Sequence, residues 1–367
     1  MPLTSDSPRS ITASKTLSVA AVVAASGTGF TGADGETITL KGSAFGAVTN
    51  PRPSAYDDFT SYNSLSEGTL LPEGEEEGAR WKENGSTFNS PYEVDSAVTL
   101  GARQVSGKSR GNKSYLSGLK GNPSGPSRET DTGYITFYFQ FNESLTTNQP
   151  KPIENYSLKL IRYWDNASQN GTRLTFETRK ISCTPDDTNG NVLCPITPFA
   201  TINDNPDCTF DRYAYPDKTQ FAVANTWHRA ELCIYGPESG DAFLNGQRVV
   251  TSSGARFPFY KSPNALAETF YPEIIGCDLS SSSDTTTTLR QWVSEVYEGA
   301  TPARVEFSNS SSFDPDVTQE RYYQLTTSRT ETEIQVSAFY GNLNQDDPIY
   351  AHVIKSDGSV VEAGQIN

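Results

Sequence analysis

His228 and His352 are the only histidines in 367 residues, so a multi-histidine metal centre is excluded and general acid–base chemistry has few carriers. A retaining glycosidase needs two carboxylates about 5 Å apart, commonly displayed as Glu-x-Asp-x-x-Glu along one strand. That spacing does not occur: Glu231 stands alone on its strand, and Glu295 is followed only by Glu298. A polysaccharide lyase needs a base beside a charge neutraliser. His228 and Arg229 are adjacent, and on a strand they point to opposite faces. Arg229 and Tyr235 share parity, but covering a sheet surface is the plainer role for such a pair. The strict Gly-x-x-x-x-Gly-Lys-Ser/Thr phosphate loop is missing. No catalytic residue is assigned, and the protein is expected not to be an enzyme.

Aromatic residues offer a second kind of chemistry. Exposed rings stack on pyranose faces while Asn and Asp at the rim bond the hydroxyls. Tyr163 and Trp164 abut a polar turn opening with Asp165 and Asn166, and with Trp292 these residues form the candidate carbohydrate-binding set. Trp81 and Trp227 open segments patterned as buried strands and read as core. Asp204-Asn205-Pro206-Asp207 and Asp57-Asp58 have the oxygen ligands calcium takes, but acidic loops are common and no metal site or cofactor is assigned. Glu73 to Glu77 reads as a solvated loop.

The elements that must position these residues are strands. Hydrophobic residues make up 35% of the chain and aromatic residues 11%, with a preponderance of Ser, Thr, Gly and Asn. That aromatic content can fill a core and argues against disorder. Tyr134 to Phe141, Tyr156 to Trp164, Arg173 to Thr178 and Trp227 to Tyr235 alternate or are β-branched and aromatic, as half-buried strands are. Asn170-Gly171 and Asn245-Gly246 mark hairpin turns. A single short turn, Ala265 to Thr269, hints at helix. The balance of 29 basic against 44 acidic residues, a formal charge of −15, disfavours nucleic-acid binding. No run of about 18 apolar residues suggests a membrane span. Five cysteines without CxxC spacing exclude a zinc ribbon. Cys183 and Cys194 flank a turn-rich segment across which one disulfide is feasible, whereas Cys233 and Cys277 read as buried thiols. The apolar stretch Leu17 to Ala25 reads as a retained strand in preference to a secretory h-region.

Two segments carry family likeness. Gly35-Glu36-Thr37-Ile38-Thr39-Leu40-Lys41-Gly42-Ser43-Ala44-Phe45-Gly46 resembles the opening strand of IPT/TIG immunoglobulin-like domains, with Ile38 and Leu40 facing one way and glycines bending the chain around Phe45. Trp227 to Val250 resembles the central hairpin of concanavalin A-like jelly rolls. Asp57-Asp58-Phe59 and Trp292 to Tyr297 fit the first and last strands of such a sandwich. The resemblance implies an all-β protein: a concanavalin A-like jelly-roll sandwich plus a smaller immunoglobulin-like β-sandwich. It divides the chain into an arm at 1–33, an IPT/TIG-like segment at 34–55, the sandwich at 56–312 and a C-terminal β module at 313–367. The two flanking pieces are each too short to bury a core alone. Joined, they approach one domain, so the sandwich is expected to be inserted into a discontinuous immunoglobulin-like unit.

The order of these pieces is similar to that in a set of phage and bacterial proteins. It implies a virion structural protein, a surface decoration or a tail- or fibre-associated component able to bind glycans. The expected partners are copies of itself, other virion proteins and a surface glycan, with no nucleic acid and no membrane insertion. The expected location is the virion, reached from the host cytoplasm, with an extracellular location as the alternative. Behind this reading stand a carbohydrate-binding module and, last, a polysaccharide lyase or glucanase.

Overall fold

The computed structural model describes residues 33–86, 92–95, 97–101, 103–104, 107–109, 114–120, 122–124, 132–142, 156–165, 173–180, 184–185, 192–193, 196–203, 223–236, 239–249, 270–275, 277–279 and 290–366. The expectations for the Leu17 to Ala25 strand, the Cys183–Cys194 pair, the Asp204 to Asp207 ligands, Asn166 and the Ala265 to Thr269 turn lie outside the described residues.

Period-two alternation yields two antiparallel seven-stranded sheets and a third of six strands. The central sheet runs Gln247–Val249, Ser239–Leu244, His228–Gly236, Gly133–Phe141, Gln291–Gly299, Ala55–Asp57, with Gly107–Ser109 also on Gln291–Gly299. The outer sheet runs Ile196–Asn203, Arg173–Lys180, Tyr156–Asp165, Phe270–Ile275, Ser114–Leu119, Trp81–Ser86, with Cys277–Leu279 beside Tyr156–Asp165. Together they form the jelly-roll sandwich. Ala55–Asp57 pairs directly with Gln291–Gly299, Val296 opposite Asp57, so the sandwich's first and last strands are neighbours. Trp81 of the outer sheet donates its indole N–H to Asp57 of the central sheet at 2.7 Å, a polar cross-link inside the core.

The third sheet is the terminal module. Its order is Thr37–Lys41, Glu333–Ser337, Tyr322–Arg329, Arg304–Ser308, Tyr350–Ile354, Val360–Gln365. Ile38 lies opposite Val336 and Leu40 opposite Ile334, so strands from the two ends of the chain build one discontinuous unit. Tyr322–Arg329 pairs through its first residues with Arg304–Ser308 and through its later ones with Glu333–Ser337, curling the sheet. The turn after Thr37–Lys41 packs tightly: a Cβ on Gly42 would lie 2.7 Å from the buried Phe45 ring. Arg329 fixes this turn, donating to the carbonyls of Phe45, Gly46 and Ile354 at 2.5, 2.9 and 2.9 Å.

One expected boundary moves. Arg304–Ser308 pairs with Tyr322–Arg329 and Tyr350–Ile354, which places it in the terminal module and not in a sandwich ending at 312. Because it follows Gln291–Gly299 after a short turn, its sequence reads as a continuation of the sandwich.

Gly133–Phe141 and Gln291–Gly299 are buried along their whole length, so the central sheet is covered on both faces. Ile135, Phe137 and Phe139 alternate with Tyr134, Thr136 and Tyr138. The second set shares its face with Arg229, Glu231 and Cys233, its register partners on the next strand. This polar face, which strand periodicity would give to solvent, lies under the terminal module. Tyr138 stacks on Tyr322 with ring centroids 5.3 Å apart, and Tyr134 stands against Arg304.

Candidate functional site

Where the module's edge meets the sandwich, a cleft of about 390 Å³ opens, its walls including Tyr138, Trp227, His228, Asn245, Glu320 and Tyr322. Its geometry starts at the Asn245–Gly246 turn, where φ is 50° and 75°. Both values are left-handed, the conformation an Asn-Gly hairpin turn uses. The turn also holds the module. Gln319 N–H donates to the Asn245 carbonyl at 3.1 Å, and Arg321 Nη2 donates to that of Gly246. A Cβ on Gly246 would lie 2.7 Å from the Gln319 carbonyl oxygen, so close docking demands glycine.

The Asn245 side chain orients the neighbouring strand. Its Oδ1 accepts the Arg229 backbone N–H at 2.9 Å, and its Nδ2 lies 3.0 Å from His228 Nδ1. Nδ2 can only donate, so His228 Nδ1 accepts and Nε2 carries the proton towards the Val223 carbonyl at 3.4 Å. Burial pushes the imidazole down to about 4, which keeps it neutral near pH 7. Trp227, half-buried, donates its indole N–H to the Thr99 carbonyl at 2.8 Å, fixing its ring at the rim. Tyr322 donates its hydroxyl to Glu320 Oε1 at 2.7 Å. Burial, with the Glu320 carboxylate, drives this phenol far above its ordinary range, so it is no base at neutral pH. Val223 and Val317, both exposed, add apolar surface at or beside the mouth.

Beneath the cleft floor sits an ionic cluster. Arg229 Nη2 lies 2.9 Å from Glu231 Oε1 and 3.0 Å from Glu306 Oε1. Arg304 reaches the same two oxygens, and Arg321 Nε is 3.0 Å from Glu306 Oε2. Burial would raise the Glu306 carboxyl, but the guanidiniums of Arg229, Arg304 and Arg321 outweigh it and hold it well below the usual carboxylate range. The Arg/Tyr face considered for a lyase is thereby accounted for. Arg229 is 3% exposed inside this cluster, while Tyr235 packs over Gly358 of the terminal module.

The described residues singled out from sequence fall on two sheets. Tyr163, Trp164 and Asp165 lie on the Tyr156–Asp165 strand of the outer sheet. Trp292 belongs to the central sheet, is 8% exposed, and donates its indole N–H to Asp95 at 2.9 Å. It is a core residue, not a stacking platform, because its parity turns it beneath the terminal module. Trp227 is the reverse case. It had read as core, yet it stands just ahead of its strand with its ring on the cleft; the polar Asn225-Thr226 before it was the available signal. Asp57 accepts from the Phe59 N–H and the Tyr62 hydroxyl in its own turn as well as from the Trp81 indole, and Asp58 accepts from Thr60. Among the described residues no group of three or more His, Cys, Asp or Glu is placed to hold a metal ion. His352 is buried, with Nε2 3.0 Å from the Ser310 carbonyl.

Residues 102–111 correct one expectation, that no Gly-x-Ser-x-Gly occurs, and come near a phosphate loop without matching it. Ala102 to Ser109 is a phosphate-loop pattern with Ala for the first Gly, and Gly107-Lys108-Ser109-Arg110-Gly111 is Gly-x-Ser-x-Gly. Each motif needs a strand-to-helix turn. Gly107–Ser109 is instead an extended strand paired with Gln291 to Val293.

No family model matches the chain, and no curated protein matches it. Among solved structures it is similar to a cellulose-induced protein at 11% identity and TM-score 0.35, over 67% of this chain and 97% of that one. An alginate lyase in complex with alginate tetrasaccharide aligns at 11% identity and TM-score 0.35, over 68% and 97%. The binding domain of botulinum neurotoxin serotype D aligns at 9% identity and TM-score 0.34, over 84% and 72%. The sandwich assignment itself stands on the strand order and register given above.

Proposed function

We propose that the protein is a non-catalytic saccharide-binding β-sandwich protein whose binding site is the cleft between sandwich and terminal module. The observation that carries this reading is Trp227: an aromatic ring, half-buried and pinned through its N–H, on the wall of a cavity that holds amide, hydroxyl and carboxylate groups. A fixed ring beside convergent polar groups is what a pyranose needs, one apolar face to stack and several edge hydroxyls to bond. The non-catalytic part rests on the lining. Glu320 has no second carboxylate among the described lining residues, His228 is neutral and hydrogen-bonded, and Tyr322 is held protonated. Trp227→Ala tests the site by calorimetric titration with oligosaccharides. Binding should fall at least tenfold with unchanged melting, and undiminished binding would remove the cleft from consideration.

The setting we propose is a virion surface, on the sequence grounds of the arm before Ala33 and the resemblance in module order. The kinship of the terminal module with IPT/TIG domains belongs to the same proposal, supported by the Gly42 to Gly46 turn around Phe45. Deleting residues 1–26 should abolish incorporation into the particle while leaving the melting of the described fold intact. Normal incorporation would count against the virion setting.

A further inference from the structure

We infer that the cleft selects uncharged saccharides and rejects uronate- or sialate-type anions; this rests on the saccharide-binding reading and names its ligand class. Sites for carboxylated sugars present a guanidinium or ammonium whose donors await the ligand. Among the described residues two arginines line this cleft, and both are engaged internally. Arg321 directs Nη1 to Gln319 Oε1 at 2.7 Å and to the Asp314 carbonyl at 3.3 Å and Nη2 to the Gly246 carbonyl, while its Nε is buried 3.0 Å from Glu306 Oε2, an ion-pair contact closed to a ligand. Arg229 directs Nε to Thr136 Oγ1 at 3.1 Å, Nη1 to the Arg321 carbonyl at 2.9 Å, and Nη2 to Tyr134, Glu231 and Glu306. The third basic lining residue, His228, is neutral, with Nδ1 accepting from Asn245.

The charge left at the mouth is negative. Glu320 is exposed and anchored by the Tyr322 hydroxyl, and the chain as a whole carries −15. Among the described residues, an anionic sugar would meet a carboxylate at the rim with no unspent cation behind it, within a long-range field that slows its approach. A neutral pyranose meets only acceptors and donors suited to hydroxyls. Asn342 and Thr318 on the wall add an amide, whose Oδ1 accepts the Gly101 N–H at 3.1 Å, and a hydroxyl, which donates to Gln247 Oε1 at 3.2 Å.

Calorimetric titration of the full chain with laminarihexaose and with hexamannuronate, before and after Trp227→Ala and Glu320→Gln, tests the inference. The neutral hexamer should bind in a Trp227-dependent manner, and the uronate at least tenfold more weakly. Glu320→Gln should narrow that gap by about threefold at low salt, the scale of one exposed charge at short range in water, and less in 150 mM salt. Uronate binding that depends on Trp227 and equals or exceeds laminarihexaose binding would overturn charge selection while leaving the cleft as the site. Binding of neither hexamer, or binding indifferent to Trp227→Ala, would end the cleft reading and this inference with it.

Discussion

Arg229 of the central sheet reaches Glu306 of the terminal module, Nη2 to Oε1 at 3.0 Å, with neither side chain open to solvent. A buried pair is poor evidence of net stability, because desolvation cancels much of the attraction. Removing one partner nevertheless strands the other charge in the interior. Here the surroundings are two further arginines and Glu231, so Glu306 is the carboxylate that three guanidiniums share.

Glu306→Gln should therefore destabilise the fold by about 3–5 kcal/mol in urea titration. A loss below about 1 kcal/mol would mean that the cluster relaxes or admits water, and that the module's docking rests on its other contacts, the Asn245–Gly246 hydrogen bonds among them.

Asp57 and His228 oppose each other in acid. Burial first of all raises the Asp57 carboxyl from 3.8 to about 6, against the bonds from Phe59, Trp81 and Tyr62. The folded state then holds the Asp57 proton more tightly than the unfolded state, so this contribution is full below about 4 and is lost as pH rises to about 6. His228, lowered from 6.5 to about 4, acts the other way. Its contribution is full above 6.5 and is lost as pH falls to about 4. Each is worth on the order of 3 kcal/mol, so over pH 4–6 they largely cancel. Asp57→Asn should steepen the loss of stability on acidification, and His228→Gln should reverse its sign. Denaturant midpoints at half-unit pH intervals would read both. Parallel pH profiles for the wild type and the two variants would refute the pairing.

Gly246→Ala combines a left-handed φ of 75° with a Cβ placed 2.7 Å from a backbone oxygen. The expected cost is about 2–3 kcal/mol. Because the same turn fixes Asn245 at the cleft, oligosaccharide affinity should fall along with stability. Unchanged midpoint and affinity together would show that the turn does not set the cleft.

Much of the scaffold was legible. Strands 134–141 and 227–235 announced themselves by β-branched, aromatic and alternating residues, 292–297 only through the resemblance to a jelly roll's last strand, and Asn245-Gly246 announced its turn. What escaped detection depended on partners far along the chain. Arg229 and Glu231 look like solvent-facing members of an alternating strand, and only Glu306 and Arg321, more than 70 residues on, reveal them as buried. The two tryptophans exchanged roles for the same reason. Trp292 is covered by a module that its own strand does not predict, whereas Trp227 sits at the margin that module leaves open.

Thr37–Lys41 finds its partner Glu333–Ser337 about 300 residues later, so on a ribosome it waits until that whole stretch has been made. Pairings of such separation close slowly, since the loop between them must first be ordered. Here that ordering is built in. Ala55–Asp57 lies beside Gln291–Gly299, so a folded insert delivers its two exits to neighbouring positions and shortens the search between the ends. Docking of Thr37–Lys41 on Glu333–Ser337 is thus expected to follow assembly of the sandwich between them. A chain stalled or misfolded in its middle would keep Thr37–Lys41 unpaired and the facing edge of Glu333–Ser337 open, exposed strand edges of the kind that quality-control factors bind.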